Sequence, residues 1–340
     1  MIASGSFPSG PVGQRGVSLV ELMVSLAIGL VIALVVASAY IAISATSSAV
    51  ETRSRIDENG KLALDLLARE IQMAGFYPPL VTDPATPNLR GRYTNIKSAG
   101  AAPYEQGIFG CSNGKFNPTN RLCETAVTGA SDSIVLSYFV TPSGTDLGSN
   151  TASLSVRSDC INGRLSNDPV NTARAAAGLP LFVSNRFGVN ATTYSLASAG
   201  AAGAGAVNTI TTGSLACSGN GRAAEDDVYQ PVSEGVAQLV LRYAVFDQSV
   251  SETPQRFYTA SEVSGLAQVD GRTGWQRVGA VRVCVVMKSI NNARVQTAGG
   301  TTAPYRDCLG SMVTPATGDN ALYRAFERVV VVRNHMTGIQ

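Results

Sequence analysis

The stretch that decides the fold runs from Gly16 to Val50 and has the sequence GVSLVELMVSLAIGLVIALVVASAYIAISATSSAV. Glu21 is its single charged residue, and no further charge occurs before Glu51. About 20 apolar residues span a bilayer as a helix, so this stretch predicts a membrane-spanning helix. A carboxylate within such a helix is unfavourable unless it is paired, although the helix dipole favours negative charge at the amino end. Glu21 is therefore a candidate functional residue; the alternative is a glutamate that lies among the lipid headgroups.

The residues before this stretch differ from an ordinary secretory signal. Met1 to Gly16 is rich in glycine, serine and proline, and it is predicted not to fold. A secretory signal places its apolar core before the cleavage site. Here the apolar run follows Gly16, so cleavage at Gly16 would leave the hydrophobic segment on the mature protein.

Small residues recur at every fourth position of the apolar run, and they therefore share one face of a helix. They are Ser25, Gly29, Ala33 and Ala37. Small side chains let helices approach closely in lipid, which predicts a packing face between helices. The alternative is a chance pattern in an alanine-rich segment.

The order of these features resembles the type IV prepilins. Gly16 followed by Val-Ser-Leu-Val-Glu-Leu-Met-Val is similar to the family's processing site, with Val17 where the family usually has phenylalanine. The resemblance implies that a prepilin peptidase cuts after Gly16 and that the new amino terminus, Val17, is methylated. It also implies that Glu21 pairs with the amino terminus of a neighbouring subunit during assembly.

The helical pattern continues beyond the apolar run. Apolar and small residues follow in steps of three and four: Ile56, Gly60, Ala63, Leu67, Ile71 and Ala74. Charges of alternating sign occupy another face and could pair along the helix: Arg53, Asp57, Lys61, Asp65 and Arg69. Gly75 is a typical helix end, and Pro78 and Pro79 prevent continuation. The pattern predicts a helix over residues 17–74 whose second half is an amphipathic spine.

Strand patterns dominate the rest of the chain. Residues 133–140, 153–156, 181–184, 236–246, 281–287 and 325–333 are apolar or alternate with period two, which is typical of strands. The region from Pro78 to about Ser131 is predicted to be rich in loops. Ser195–Ser214 has low complexity and is predicted to be a mobile loop. A helix followed by strands indicates an α+β fold.

Three late stretches and the helix end resemble the PilW-type minor pilins, which are related to the J-type minor pseudopilins of type II secretion. They are VSEGVAQLVLRYAVFD, the strand after Trp275, YRAFERVVVVRN and LALDLLAREIQMAGFY. The resemblance implies a type IV pilin-like fold with a helical spine on an antiparallel sheet. The predicted parts of the chain are a leader (1–16), a membrane-spanning half-helix (17–50), an amphipathic half-helix (51–75) and a globular domain (76–340).

Six cysteines behind a membrane-targeting segment indicate disulfides formed in an oxidising compartment. Several pairings are possible. Pairing of nearest neighbours is favoured: Cys111–Cys123, Cys160–Cys217 and Cys284–Cys308. A zinc site is the alternative, but it would need closely spaced cysteines or histidines.

The remaining composition does not indicate catalysis. The net charge of +2 does not indicate nucleic-acid binding. The sole histidine, His335, is expected to lie in a solvated tail, so a Ser-His-Asp triad or a histidine-rich metal site is not expected. Glu225–Asp227 lacks the spacing of a calcium loop and is expected to be an exposed turn. Tyr243 and Trp275 are expected in the core, and no cofactor is predicted.

The predicted function is that of a minor pilin that helps to initiate a type IV pilus and lies at or near its tip. The predicted partners are the prepilin peptidase, the major pilin, other minor pilins and the inner-membrane assembly platform. The protein is expected first in the inner membrane with its domain in the periplasm, and then in the pilus of a Gram-negative bacterium. The alternatives are a J-type pseudopilin, a membrane-anchored periplasmic enzyme, and an adhesin that binds surfaces through residues 78–230.

Overall fold

The computed structural model describes residues 18–76, 107–117, 120, 122–140, 158–165, 168, 171–172, 180–197, 207–221, 229–246, 254, 256–269, 272–290, 303–316, 319 and 321–336. The chain forms two compact units, Met1–Glu51 and Thr52–Gln340. Helix α1, Leu19–Met73, contributes to both units. It ends before Gly75, whose φ of 74° lies in the left-handed region that glycine adopts readily. The predicted helix and its end are therefore confirmed within the described residues.

The second half of α1 buries the stripe that the sequence predicted. Ile56, Ala63, Leu67, Ile71 and Ala74 are all at most 4% exposed. They lie on one face because their spacing matches the helix repeat. This face packs into a core cluster that also contains residues of both main sheets.

Thirteen antiparallel strands are present among the described residues. Their bounds are β1 Ile108–Cys111, β2 Phe116–Asn117, β3 Leu122–Cys123, β4 Ser133–Val140, β5 Leu181–Ala197, β6 Val207–Gly219, β7 Gln230–Glu234, β8 Val236–Val245, β9 Phe257–Tyr258, β10 Val278–Lys288, β11 Tyr305–Arg306, β12 Met312–Val313 and β13 Tyr323–Val331. The described residues also form two short helices, α2, Ala260–Ser264, and α3, Arg333–Met336.

The strands form two main sheets and two small hairpins. The larger sheet has the order β1-β4-β5-β6-β7, and the second has the order β13-β10-β8-β9. Strands β2 and β3 pair with each other, as do β11 and β12. The predicted strands at residues 133–140, 181–184, 236–246, 281–287 and 325–333 are confirmed, whereas residues 153–156 lie outside the described residues.

The prediction of a loop over Ser195–Ser214 is wrong for residues 195–197 and 207–214, which lie in strands; residues 198–206 lie outside the described residues. Strands β5 and β6 form a long antiparallel pair that runs from Asn185↔Gly219 to Ala197↔Val207. The hydroxyls of Thr192 and Ser214 pair across the two strands at a distance of 2.6 Å. The low complexity of this segment concealed β6 because its sequence, VNTITTGSLACSG, has no regular alternation of apolar and polar residues.

Strand β1 corrects the prediction of a loop-rich region before Ser131. Ile108 is fully buried, and β1 pairs with β4 from Ile108↔Leu136 to Cys111↔Ser133. The strand has only four residues, so its period-two pattern is too short to be recognised in the sequence.

Asp132 joins the two main sheets through its buried carboxylate. This carboxylate accepts the backbone N–H of Asn113 at 2.9 Å and that of Leu241 at 2.8 Å. Arg242 also lies 3.4 Å from it. Burial raises the pKa of Asp132, and the hydrogen bonds and Arg242 oppose that rise. A single buried side chain therefore fixes β8 against the segment that enters β4.

The predicted core aromatics are confirmed. Tyr243 is fully buried and Trp275 is 2% exposed. Their rings meet edge to face with centroids 4.9 Å apart, and Phe109 lies 5.2 Å from Trp275. Such pairs add to the stabilisation from burial, so these residues serve packing.

Candidate functional site

The amino-terminal part of α1 carries the residues that the sequence singled out. The helix begins at Leu19, and the N–H of Leu22 donates to the carbonyl of Ser18 at 3.0 Å. Glu21 lies in the first turn, where the helix dipole favours a carboxylate. The predicted cleavage site, Gly16 and Val17, lies outside the described residues.

The apolar surface of this segment is uncovered in the single chain. Leu19–Ile41 is long and apolar enough to cross a membrane, with a mean hydropathy of 2.8 and none of its most apolar window buried. Leu26 and Leu34 are 61% and 68% exposed. Exposed apolar surface on this scale is unfavourable in water, so the segment requires lipid or other apolar helices around it.

The small residues of this segment leave one helix face open. A Cβ added to Gly29 would meet no atom within 4 Å. The hydroxyl of Ser25 donates to the carbonyl of Leu22 at 3.0 Å. That hydroxyl is therefore satisfied within the helix and does not require water. The structure places Ser25, Gly29, Ala33 and Ala37 in one continuous helix.

The second half of α1 is attached to strand β13 by charge as well as by apolar packing. Arg324 donates to Asp57, and Arg328 donates to Asp65. The sequence predicted that these aspartates could pair along the helix, whereas the structure pairs them with arginines more than 250 positions later. Sequence spacing could not reveal these partners because the strand register decides which arginines face the helix.

The carboxyl end of α1 is capped by Asn334, which lies in the segment after the last strand. The side-chain amide of Asn334 in α3 donates to the carbonyls of Gln72 at 3.0 Å and Ala74 at 3.0 Å. The last carbonyls of a helix lack partners within the helix. Asn334 therefore fixes the helix end, and no sequence signal predicted this role.

Glu70 contributes an ionisable side chain to the contact between α1 and the larger sheet. Burial raises the pKa of its carboxyl group, and the hydrogen bond from Asn185 at 2.8 Å opposes part of that rise. The structure places Glu70 in the last turns of α1 against β5. It therefore joins the helix to the larger sheet at an electrostatic cost at neutral pH.

Three disulfides fasten the shorter elements to the sheets. The bonded pairs are Cys111–Cys123, Cys160–Cys217 and Cys284–Cys308, the three pairs that the sequence favoured. The first joins β1 to β3, the second joins a loop to β6, and the third joins β10 to the turn between β11 and β12. The described residues contain no free cysteine.

The candidate metal-binding residues of the sequence lie only partly within the described part of the chain. There, no group of three or more histidine, cysteine, aspartate or glutamate residues could hold a metal ion. His335 lies in α3, directly after the last strand. The predicted acidic turn Glu225–Asp227 lies outside the described residues.

The fold and this segment define a class: an α+β protein with an apolar amino-terminal helix and an antiparallel sheet domain. Residues 12–37 match the model described as "Prokaryotic N-terminal methylation motif". Residues 194–334 match the model described as "Type IV Pilus-assembly protein W". Together the two matches support the resemblance to the type IV minor pilins of the PilW family that the sequence predicted.

One solved structure is similar to the chain at low identity. It is a type IV-like pilin from Thermus thermophilus, with 10% sequence identity and a TM-score of 0.33 over 82% of this chain and 98% of that chain. A superposition this loose carries no argument about function. No curated protein matches the chain significantly.

The similarity to this family suggests a structural, non-enzymatic protein that works with other pilins and the pilus machinery. The methylation motif and the apolar helix suggest that it is anchored in the membrane. Both statements agree with the exposed apolar surface of α1.

Proposed function

We propose that the protein is a minor pilin that is cleaved after Gly16, helps to initiate a type IV pilus and becomes part of the filament at or near its tip. The observation that carries this proposal is the position of Glu21. It lies in the first turn of α1, at the start of the apolar segment Leu19–Ile41, whose most apolar window has no buried residue, and within the residues that match the methylation motif. A carboxylate there requires a cationic partner in an apolar environment.

The cationic partner in this proposal is the amino terminus that cleavage creates at Val17. A prepilin peptidase removes residues 1–16 and methylates Val17, so the mature helix begins with a positive charge. Glu21 of an incoming subunit then pairs with the amino terminus of a subunit already in the filament. Removal of two charges from water is offset only when they pair closely, so this contact favours correctly aligned subunits.

The open small-residue face completes the proposed role of α1. Ser25, Gly29, Ala33 and Ala37 let a neighbouring helix approach closely, which van der Waals packing favours in lipid and in a filament core. The protein remains in the inner membrane with its sheet domain in the periplasm until it enters the filament. A J-type pseudopilin of a secretion system has less support because the matched model describes pilus assembly.

Intact-mass spectrometry of the protein from native membranes and from sheared filaments tests the processing step. The expected mass is that of residues 17–340 with one added methyl group and without the six thiol hydrogens of three disulfides. A Gly16→Val variant should retain the leader and disappear from the sheared fraction. Normal processing or normal filament content of this variant would overturn the proposal.

The role of Glu21 is tested with Glu21→Gln, which keeps the shape of the side chain and removes its charge. We expect normal cleavage and membrane insertion, with at least a tenfold lower content in sheared filaments. Glu58→Gln is the matched control because Glu58 is an exposed glutamate of the same helix outside the membrane span. If Glu21→Gln enters filaments as well as the control does, then Glu21 has no assembly role.

A further inference from the structure

A groove of about 700 Å³ lies on the second sheet, between β10, β13 and the turn that links β11 to β12. Phe326 of β13 packs against Gly60 of α1. Its neighbours Ala325 and Glu327 therefore face the other side of the sheet, where they line the groove. Sites for small molecules have volumes of about 300–1,000 Å³, so the groove has the size of a small-molecule site.

The wall of the groove is held in place before any ligand binds. The disulfide Cys284–Cys308 attaches the turn to β10, and both cysteines line the groove. Within the turn, Oδ1 of Asp307 accepts the N–H groups of Leu309 at 2.9 Å and Ser311 at 2.7 Å. A preformed site loses little conformational freedom when a ligand binds, so this arrangement favours binding.

Two tyrosines give the groove a flat aromatic surface. The rings of Tyr305 and Tyr323 both line it and stack with an angle of 6° between their planes and centroids 4.4 Å apart. The hydroxyl of Tyr323 donates to Asp319 at 2.6 Å, which fixes that ring, and Tyr305 is only partly buried. The face of an aromatic ring carries partial negative charge. It therefore attracts the positively polarised C–H groups of a sugar ring.

Four charged side chains supply the groove with hydrogen-bonding groups. Arg282 and Arg306 are donors, and Asp307 and Glu327 are acceptors. Arg282 lies 3.8 Å from Glu327, which is too far for a hydrogen bond. Within the described part of the chain, Arg306 and Oδ2 of Asp307 have no hydrogen-bond partner. Water solvates such groups until a ligand with equivalent hydrogen bonds replaces it.

The charges of the groove are balanced, which indicates the kind of ligand that it fits. The two arginines and the two carboxylates cancel, and Arg324, the remaining cation of the lining, pairs with Asp57. An anion would meet two carboxylates, and a cation would meet two guanidinium groups. A hydroxyl group both donates and accepts hydrogen bonds. Adjacent hydroxyls on a neutral ligand therefore satisfy both kinds of group.

From the aromatic surface and the balanced polar groups together, we propose that this groove binds a neutral carbohydrate, namely a short oligosaccharide of hexose units. One sugar ring stacks on Tyr305, and its hydroxyls exchange hydrogen bonds with Arg306 and Asp307. In a filament, the groove would attach that filament to glycans, and this consequence rests on the proposed function. The binding itself rests only on the groove.

Binding of the full-length protein to an oligosaccharide array tests the proposal. The protein is held in lipid nanodiscs, because detergents with sugar headgroups would compete for the groove. The array carries neutral hexose oligosaccharides, anionic sialylated oligosaccharides and cationic glucosamine oligomers. We expect binding to neutral members alone. The affinity for them should change less than twofold between about 50 and about 500 mM salt, because salt screens interactions between charges.

Variants of Tyr305 separate stacking from a structural role. Tyr305→Leu removes the aromatic ring and should lower the affinity for the best neutral oligosaccharide at least tenfold in isothermal titration calorimetry. Tyr305→Phe keeps the ring and should change this affinity less than threefold. Tyr258→Leu is the matched control, since Tyr258 is also partly buried but lies outside the groove, and it should have no effect. Intact disulfides and an unchanged melting temperature would show that the variants fold.

Arg306→Met provides an independent test at an exposed position, where folding does not depend on the side chain. It removes the donors and should lower the same affinity at least fivefold, whereas Arg306→Lys should retain most of it. The proposal is overturned if no neutral oligosaccharide binds or if a charged one binds better. It is also overturned if folded Tyr305→Leu or Arg306→Met protein binds as the wild type does. Normal processing and filament content with any of these results would show that this inference alone has failed.

Discussion

At the scale of single residues, buried polar groups attach α1 and the sheets to one another. Asp132 accepts two backbone N–H groups from separate elements, and Asn334 caps the end of α1. Each of these side chains satisfies backbone groups that water would otherwise solvate, and loss of such a partner is costly when the site is buried. Glu70 differs because burial disfavours the charged form of its carboxyl group and raises its pKa.

Glu70→Gln should raise the melting temperature of the full-length protein at pH 7. Because burial raises the pKa of Glu70 in the folded state, the unfolded state loses its proton first as pH rises. The folded wild type is therefore destabilised at pH values above the ordinary glutamate pKa. This destabilisation disappears at pH values below it. The difference in melting temperature between the variant and the wild type should therefore shrink as the pH falls below the ordinary glutamate pKa. Thermal unfolding from pH 3.5 to 7.5 measures it; a constant difference would contradict this explanation.

At the scale of elements, the second half of α1 is matched to β13 by both shape and charge. A Cβ added to Gly60 would lie 2.6 Å from two ring atoms of Phe326. Glycine is thus required at this crossing although it weakens a helix. Arg324 and Arg328 then pair with Asp57 and Asp65 on either side of the crossing. These pairs are exposed, so they contribute mainly to alignment.

Gly60→Ala should destabilise the protein by about 1 kcal/mol. Overpacking costs about 1–3 kcal/mol, and the gain in helix propensity returns only about 1 kcal/mol. Chemical denaturation of the single variants and of Gly60→Ala/Phe326→Ala measures the coupling. In the Phe326→Ala background the alanine at position 60 should be neutral or stabilising. Equal effects in both backgrounds would show that the contact with Phe326 is not the cause.

At the scale of the whole molecule, the disulfides bind peripheral segments to a shared core. One cluster of buried residues contains side chains of α1, β1, β4, β5, β6, β8, β10 and β13. The bonded cysteines are separated by 12, 57 and 24 positions. A longer closed loop restricts the unfolded chain more strongly, so the second disulfide should stabilise the fold most.

Replacement of Cys160 and Cys217 by alanine should cost about 4 kcal/mol, compared with about 3 kcal/mol for Cys111 and Cys123. Denaturant unfolding of the two paired variants under oxidising conditions measures the difference. Reduced wild-type protein is the control and should be less stable than either variant. A larger loss for the Cys111/Cys123 pair would contradict the dependence on loop length.

Local patterns in the sequence were sufficient to predict α1, its buried stripe and strands β4, β8, β10 and β13. Side chains at fixed intervals share one face of a helix or strand whatever their surroundings. The same reasoning identified only the start of β5, at residues 181–184, and missed β6 because residues 195–214 lack the period-two alternation of apolar residues that marks a strand. It also missed β1, which is a strand mainly because β4 lies beside it.

The sequence by itself determined the class of this protein: the order of Gly16, Glu21 and the apolar run identifies an anchored, pilin-like helix without reference to the fold. Only the tertiary structure decided which charges pair, which strand remains at the edge and where a groove opens. Asp57 and Arg324 are 267 positions apart, and their contact depends on the register of β13 against β10. Contacts between distant residues follow from global packing, whereas periodicity and short sequence motifs are local properties of the chain.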